Sequence, residues 1–196
     1  MIRRFTRPQG CRPYKKLFVV AVEGDKTEPN YFAALKRISD NIADVKIIRS
    51  KKASAPNQVL HNLQKHLKEN KNRFRDADET WVVVDADAWP QEQFQALYQW
   101  ESDADHRGVA VSNPKFELWL LLHFEDGHQI SRLNCEERLR KHLPNYRKNL
   151  SVVFDKEQLS RAIERAKSKD KPPCAGCPRE GVTTVYRLIE RILGNG

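Results

Sequence analysis

The 196 residues of this chain predict an α/β fold built on a mostly parallel sheet, on three observations. Apolar runs alternate with segments of helical periodicity from Lys16 to Phe124, in the order β-α-β-α-β-α-β-α, and such alternation argues for a parallel sheet with helices on both faces. Two of the runs, Leu17–Val22 and Trp81–Val84, are apolar at every position, as central strands are. Both run straight into acidic residues, Glu23 in one case and Asp85-Ala86-Asp87 in the other. The length fits one domain, or one domain with a small extension.

Residues 1–15 form a basic arm with Pro8, Gly10 and Pro13 and no periodicity. The first strand is Lys16–Val22. Thr27 or Glu28 caps the next helix with Pro29 in its first turn, and Tyr31, Phe32, Leu35 and Ile38 line its apolar face. Val45–Ile48 is a short strand. Ser54, Pro56 and Asn57 open a packing helix that buries Val59, Leu60, Leu63 and Leu67. Thr80–Val84 is the third strand, Phe94, Leu97 and Tyr98 mark a helix after Pro90, and Gly108–Val111 is the fourth strand. Asn113 reads as an N-cap and Pro114 as the first residue of a buried helix reaching Phe124. Beyond Gln129 one strand is expected, at Ser151–Phe154. Asp155 and Gln158 resemble a capping box, and Val182, Val185, Leu188, Ile189 and Ile192 give a last helix. The organisation expected is a core over 16–128, with a central mostly parallel four-stranded sheet, and a mainly helical basic extension over 129–196.

Charge is distributed unevenly. The net charge is +9. Residues 1–16 hold six Lys/Arg and no Asp/Glu, residues 17–131 are net −4, and residues 132–171 are net +6. Basic flanks around an acidic middle suit a carboxylate site whose arms hold a polyanion; a solubilising surface is the plainer reading. Arg3, Arg4, Arg7 and Arg12 are the candidate nucleic-acid contacts. Mean hydropathy is −0.73, and no apolar run approaches the roughly 20 residues of a membrane span. The basic N-terminus lacks a signal peptide's apolar stretch. A cytoplasmic protein with reduced thiols and no membrane partner is therefore expected.

The acidic strand ends carry the chemistry. Residues i and i+2 of extended chain point the same way, so Asp85 and Asp87 can face one ion; a polar strand end feeding a turn is the alternative. Functional groups gather at the carboxyl ends of parallel strands. If the two apolar strands are neighbours, Glu23, Asp85 and Asp87 converge. Three carboxylates suit Mg²⁺, a hard ion that prefers oxygen. The helix N-terminus after Gly24 favours an anion, and Lys26 is either a phosphate contact or an ordinary loop lysine. Asn113 and Glu117 follow the fourth strand and are an additional candidate site. A buried Glu117 needs a partner, either a basic residue or a place beside the carboxylate cluster. His123 reads as a core histidine. Cys174 and Cys177 have half of a zinc-site spacing without its second half and read as solvated loop thiols. The chain has no G-x-x-x-x-G-K-S/T loop for a nucleotide.

Three stretches, Val22-Glu23-Gly24-Asp25-Lys26-Thr27-Glu28-Pro29-Asn30-Tyr31-Phe32, then Asp85-Ala86-Asp87, then Ser112-Asn113-Pro114-Lys115-Phe116-Glu117-Leu118-Trp119-Leu120-Leu121-Leu122-His123-Phe124, resemble the RloB family. Gly181-Val182-Thr183-Thr184-Val185-Tyr186 is similar to that family's C-terminal helix. The family is related to Toprim domains, as in topoisomerases, primases and nucleases of the overcoming-lysogenization type. The resemblance implies a Toprim-like compact domain and Mg²⁺-dependent phosphodiester chemistry, with Mn²⁺ as a substitute, in which Glu23 is the acid/base and Asp85 and Asp87 are metal ligands. It also implies a nuclease of bacterial anti-phage (abortive infection) loci, acting on RNA or DNA, with an AAA- or ABC-type ATPase partner. Ala86 and Lys115 depart from the family pattern, at positions where a basic residue and a cysteine are frequent. The rival expectation is a non-catalytic nucleic-acid-binding or regulatory module of an ATPase complex.

Overall fold

The computed structural model describes residues 15–38, 43–50, 55–86, 89–146 and 154–194. The basic arm with Arg3, Arg4, Arg7 and Arg12, residue Asp87, and all but the last residue of the strand expected at Ser151–Phe154 lie outside the described residues.

The sheet has strands β1 (Lys16–Val22), β2 (Ala43–Arg49), β3 (Glu79–Asp85), β4 (Arg107–Asn113) and β5 (Val182–Thr183). Their order is β2-β1-β3-β4-β5, with the first four parallel and β5 antiparallel to β4. The helices are α1 (Thr27–Ile38), α2 (Pro56–Glu69), α3 (Glu92–Ser102), α4 (Glu117–Leu121), α5 (Cys135–His142), α6 (Lys156–Lys169) and α7 (Val185–Leu193). The fold is α/β and consistent with a Toprim-like domain.

β1 and β3 are buried on both faces, which is why their sequences are continuously apolar rather than alternating. Alternation within them sorts residues between two cores. Phe18, Val20, Val22, Trp81 and Val83 pack with α1 and α4–α7. Val19, Ala21, Val82 and Val84 pack with Val59, Leu60 and Leu63 of α2 and Phe94, Leu97 and Trp100 of α3. The sheet is thus sandwiched between two helical layers.

Two expectations are corrected. Among the described residues the sheet has five strands rather than four: Val182, expected in the last helix, pairs with Asn113 in β5. Asn113 does not cap a helix, and Pro114 does not begin one. Asn113 ends β4, where its carbonyl accepts from Gly181 N (2.8 Å) and its Nδ2 donates to the Pro178 carbonyl (2.8 Å). The Asn113–Pro114 peptide is cis, and α4 starts only at Glu117. The capping box at Asp155 and Gln158 is present as expected.

One ion cluster ties the amino end of the sheet together. Burial alone would raise the Glu79 carboxyl, but Arg191 of α7, Lys16 of β1 and Trp81 Nε1 outweigh it and hold it below the usual carboxylate range. The same Trp81 ring leaves no space above Gly108, where an added Cβ would stand 2.5 Å from ring carbons. Gly108→Ala is expected to lower stability by about 1–3 kcal/mol, as overpacked cores do, read as a drop in urea midpoint at unchanged slope.

Candidate functional site

β1 leads through α1 to β2 on one side of the sheet, and β3 lies on the other side of β1. The carboxyl ends of β1 and β3 therefore flank the point where strand order reverses, the usual position of ligands in open α/β sheets. Glu23 follows the last residue of β1 and Asp85 is the last residue of β3. The Asp85 backbone N–H donates to Glu23 Oε2 at 3.0 Å, and Trp89 Nε1 approaches Glu23 Oε1 at 3.4 Å. Glu23 N in turn donates to the Val83 carbonyl. Asp85 Oδ1 accepts the Phe116 N–H at 2.9 Å, so Asp85 rather than Asn113 anchors the turn into α4.

The structure adds a residue that the sequence did not mark as part of the site. Glu28, in the first turn of α1, is 6% exposed, and its Oε1 accepts from Gly24 N at 3.1 Å. Burial, then the negative charges of Glu117 and Glu23, push its carboxyl up to about 7 against the lowering effect of its backbone hydrogen bonds. A Cβ at Gly24 would meet Glu28 Oε2 at 2.2 Å and displace the carboxylate end. Glu28 thereby takes up the Gly24 N–H in the loop that leads into α1. Its signal in the sequence was a carboxylate four residues beyond a glycine, a spacing that capping explains as well.

Of the additional candidates, Glu117 belongs to this group and Asn113 does not. Glu117 is buried, accepts from the Tyr146 hydroxyl at 2.8 Å, and acts on Glu28 through its charge. The Tyr146 hydroxyl also lies 3.1 Å from Thr27 Oγ1. Tyr146 carried no signal in the sequence, because it stands in an irregular stretch after α5. Asn113 is turned toward Pro178. Lys26 is exposed in the loop between β1 and α1. His123 is a core residue: its Nδ1 lies 3.0 Å from the Trp119 carbonyl, and burial lowers its imidazole to about 4.

The cysteine loop departs from expectation. Cys174 and Cys177 are half-buried rather than solvated, and Arg187 Nη2 lies 2.8 Å from the Cys174 carbonyl and 3.6 Å from its Sγ. Burial raises both thiols, Cys174 to about 11. Among the described residues no group of three or more His, Cys, Asp or Glu is arranged to hold a metal ion. Mg²⁺ commonly binds proteins through one or two carboxylates plus substrate phosphate. Glu23 and Asp85, two hard oxygen donors at the ends of adjacent strands, fit that donor set.

A family model described as RloB-like protein matches residues 18–192. The match spans the whole described fold from β1 into α7, and the chain belongs to the RloB-like family. No curated protein and no solved structure matches the chain significantly. Among the described residues no helix is long and apolar enough to cross a membrane.

Proposed function

We propose that this protein is a metal-dependent nuclease that hydrolyses phosphodiesters of RNA or DNA. The observation that carries the reading is the pairing of Glu23 and Asp85 across the carboxyl ends of β1 and β3, held by the 3.0 Å bond from Asp85 N to Glu23 Oε2. Glu23 and Asp85, with Asp87, would hold Mg²⁺ or Mn²⁺. Bound there, the ion supplies charge neutralisation of the phosphate and a more acidic water.

The chain's own residues do the rest. Glu23 has N–H donors at both oxygens, which fix its orientation for taking or returning a proton at the carboxylate. Glu28, its carboxyl raised to about 7, is only partly ionised near neutral pH, which limits the negative charge beside Glu23. Lys26, exposed at the mouth of the site, neutralises a phosphate oxygen, and the basic segments on either side of the acidic middle hold the backbone with little base reading. The RloB-like membership supports a role in anti-phage defence under control of a partner ATPase.

The test is cleavage of labelled RNA and DNA by the chain, alone and with its partner ATPase, in Mg²⁺, Mn²⁺ and EDTA. Metal-dependent products that vanish in EDTA are expected. In parallel, Mn²⁺ should raise the melting temperature of the wild type but not of Asp85→Asn. If defence activity in cells survives Asp85→Asn, the chain is a regulatory module and the enzymatic reading falls.

A further inference from the structure

At the amino end of the sheet, opposite the carboxylates, lies a cavity of about 640 Å³. Its walls come from Leu67 of α2, from the turn Lys71–Phe74, and from the starts of β3 and β4 at Thr80 and Arg107. The volume falls in the range of small-ligand pockets. Two features give it a chemical character.

The first is cationic. Lys71 and Arg75 are exposed on the rim, and Arg107 is held in place by a bond to the Trp100 carbonyl (3.1 Å) with its guanidinium 5.3 Å from the Trp100 ring centroid. Of the two acidic residues lining the cavity, Asp78 is engaged internally: its Oδ1 accepts from Leu17 N and its Oδ2 from Arg75 N. Asp76 is exposed. The second feature is aromatic. Phe74 is only half-buried, with Leu67 beside it in the wall.

We propose that this cavity binds a nucleoside phosphate, with the phosphate on Lys71, Arg75 and Arg107 and the base against Phe74. A simple anion would use the cations but not the ring. A flat base stacks on an aromatic side chain whatever its sequence identity, and guanidinium groups suit phosphate oxygens. The cavity is distinct from the carboxylate site. Thr80 and Asp85 stand five residues apart on β3, or roughly 17 Å at the strand rise, and that strand joins the two.

The experiment is calorimetric titration of the metal-free full chain in EDTA with the four ribonucleoside monophosphates, adenosine and inorganic phosphate. EDTA removes any metal-bridged binding at Glu23 and Asp85. At least one nucleotide should bind saturably and more tightly than either adenosine or phosphate. Lys71→Ala and Phe74→Leu should each weaken it about tenfold, equal to 1.4 kcal/mol, while Asp85→Asn leaves it unchanged. Lys71 is exposed, so its variant tests the site without disturbing the core. Absence of saturable nucleotide binding at millimolar concentration overturns the proposal. So does binding that is insensitive to both cavity variants or abolished by Asp85→Asn, and phosphate binding as tight as the nucleotide reduces the site to one for simple anions.

Discussion

Glu23→Gln is expected to fold normally and to lose metal-dependent cleavage by at least about 100-fold, the scale on which one preorganised electrostatic group contributes. Glutamine keeps an acceptor for the Asp85 N–H at 3.0 Å, so the link between β1 and β3 is retained. It lacks the negative charge that holds a cation and cannot exchange a proton at neutral pH. Asp85→Ala should lose activity on a similar scale and also loosen the turn into α4, because it removes the Oδ1 that accepts the Phe116 N–H. The two variants are therefore separable. Single-turnover cleavage assays should find both nearly inactive, whereas urea melts should find Asp85→Ala the less stable. Wild-type cleavage by Glu23→Gln would remove Glu23 from the chemistry.

The second large effect concerns pH. The Glu28 carboxyl is raised from 4.5 to about 7, first by burial. A carboxyl raised in the fold is favoured when neutral. Its contribution is fully present below the unfolded value near 4.5 and is lost as pH rises through about 7. At 1.36 kcal/mol per pH unit, that loss is about 3 kcal/mol. Without divalent metal, the wild type should be markedly less stable at about pH 8 than at about pH 5 on this account. Glu28→Gln, which retains an acceptor for Gly24 N, should flatten the profile between those values. Urea midpoints of both proteins at the two pH values decide the matter. A variant profile as steep as the wild type's would place the titrating group elsewhere.

The fold was legible where local pattern and global role agree. Lys16–Val22 matched its strand residue for residue, because a strand buried on both faces leaves an unbroken apolar run. The capping box at Asp155 depended only on residues three apart. Neighbouring placement of Glu23 and Asp85 followed from assuming β1 and β3 to be adjacent. What escaped was non-local. β5 is two residues long, too short for any period, and it exists because Gly181 and Val182 meet Asn113 from the far end of the chain. The same contacts turned Asn113 from an expected cap into a strand residue. Glu28 and Tyr146 escaped because burial and the charges of Glu117 and Glu23 define their roles, and no sequence spacing reports those.

The clasp at Asn113 also has a consequence for biosynthesis. The turn that steadies Asp85 leaves β4 at Asn113, which is gripped by the Pro178 carbonyl and Gly181 N–H and flanked by β5. A nascent chain that has exposed β1 to β4 on the ribosome already holds both carboxylates, yet their surroundings stay unfinished until residues 178–193 emerge. A product truncated before residue 178 therefore lacks both hydrogen bonds on Asn113 and the β5 pairing that flanks it.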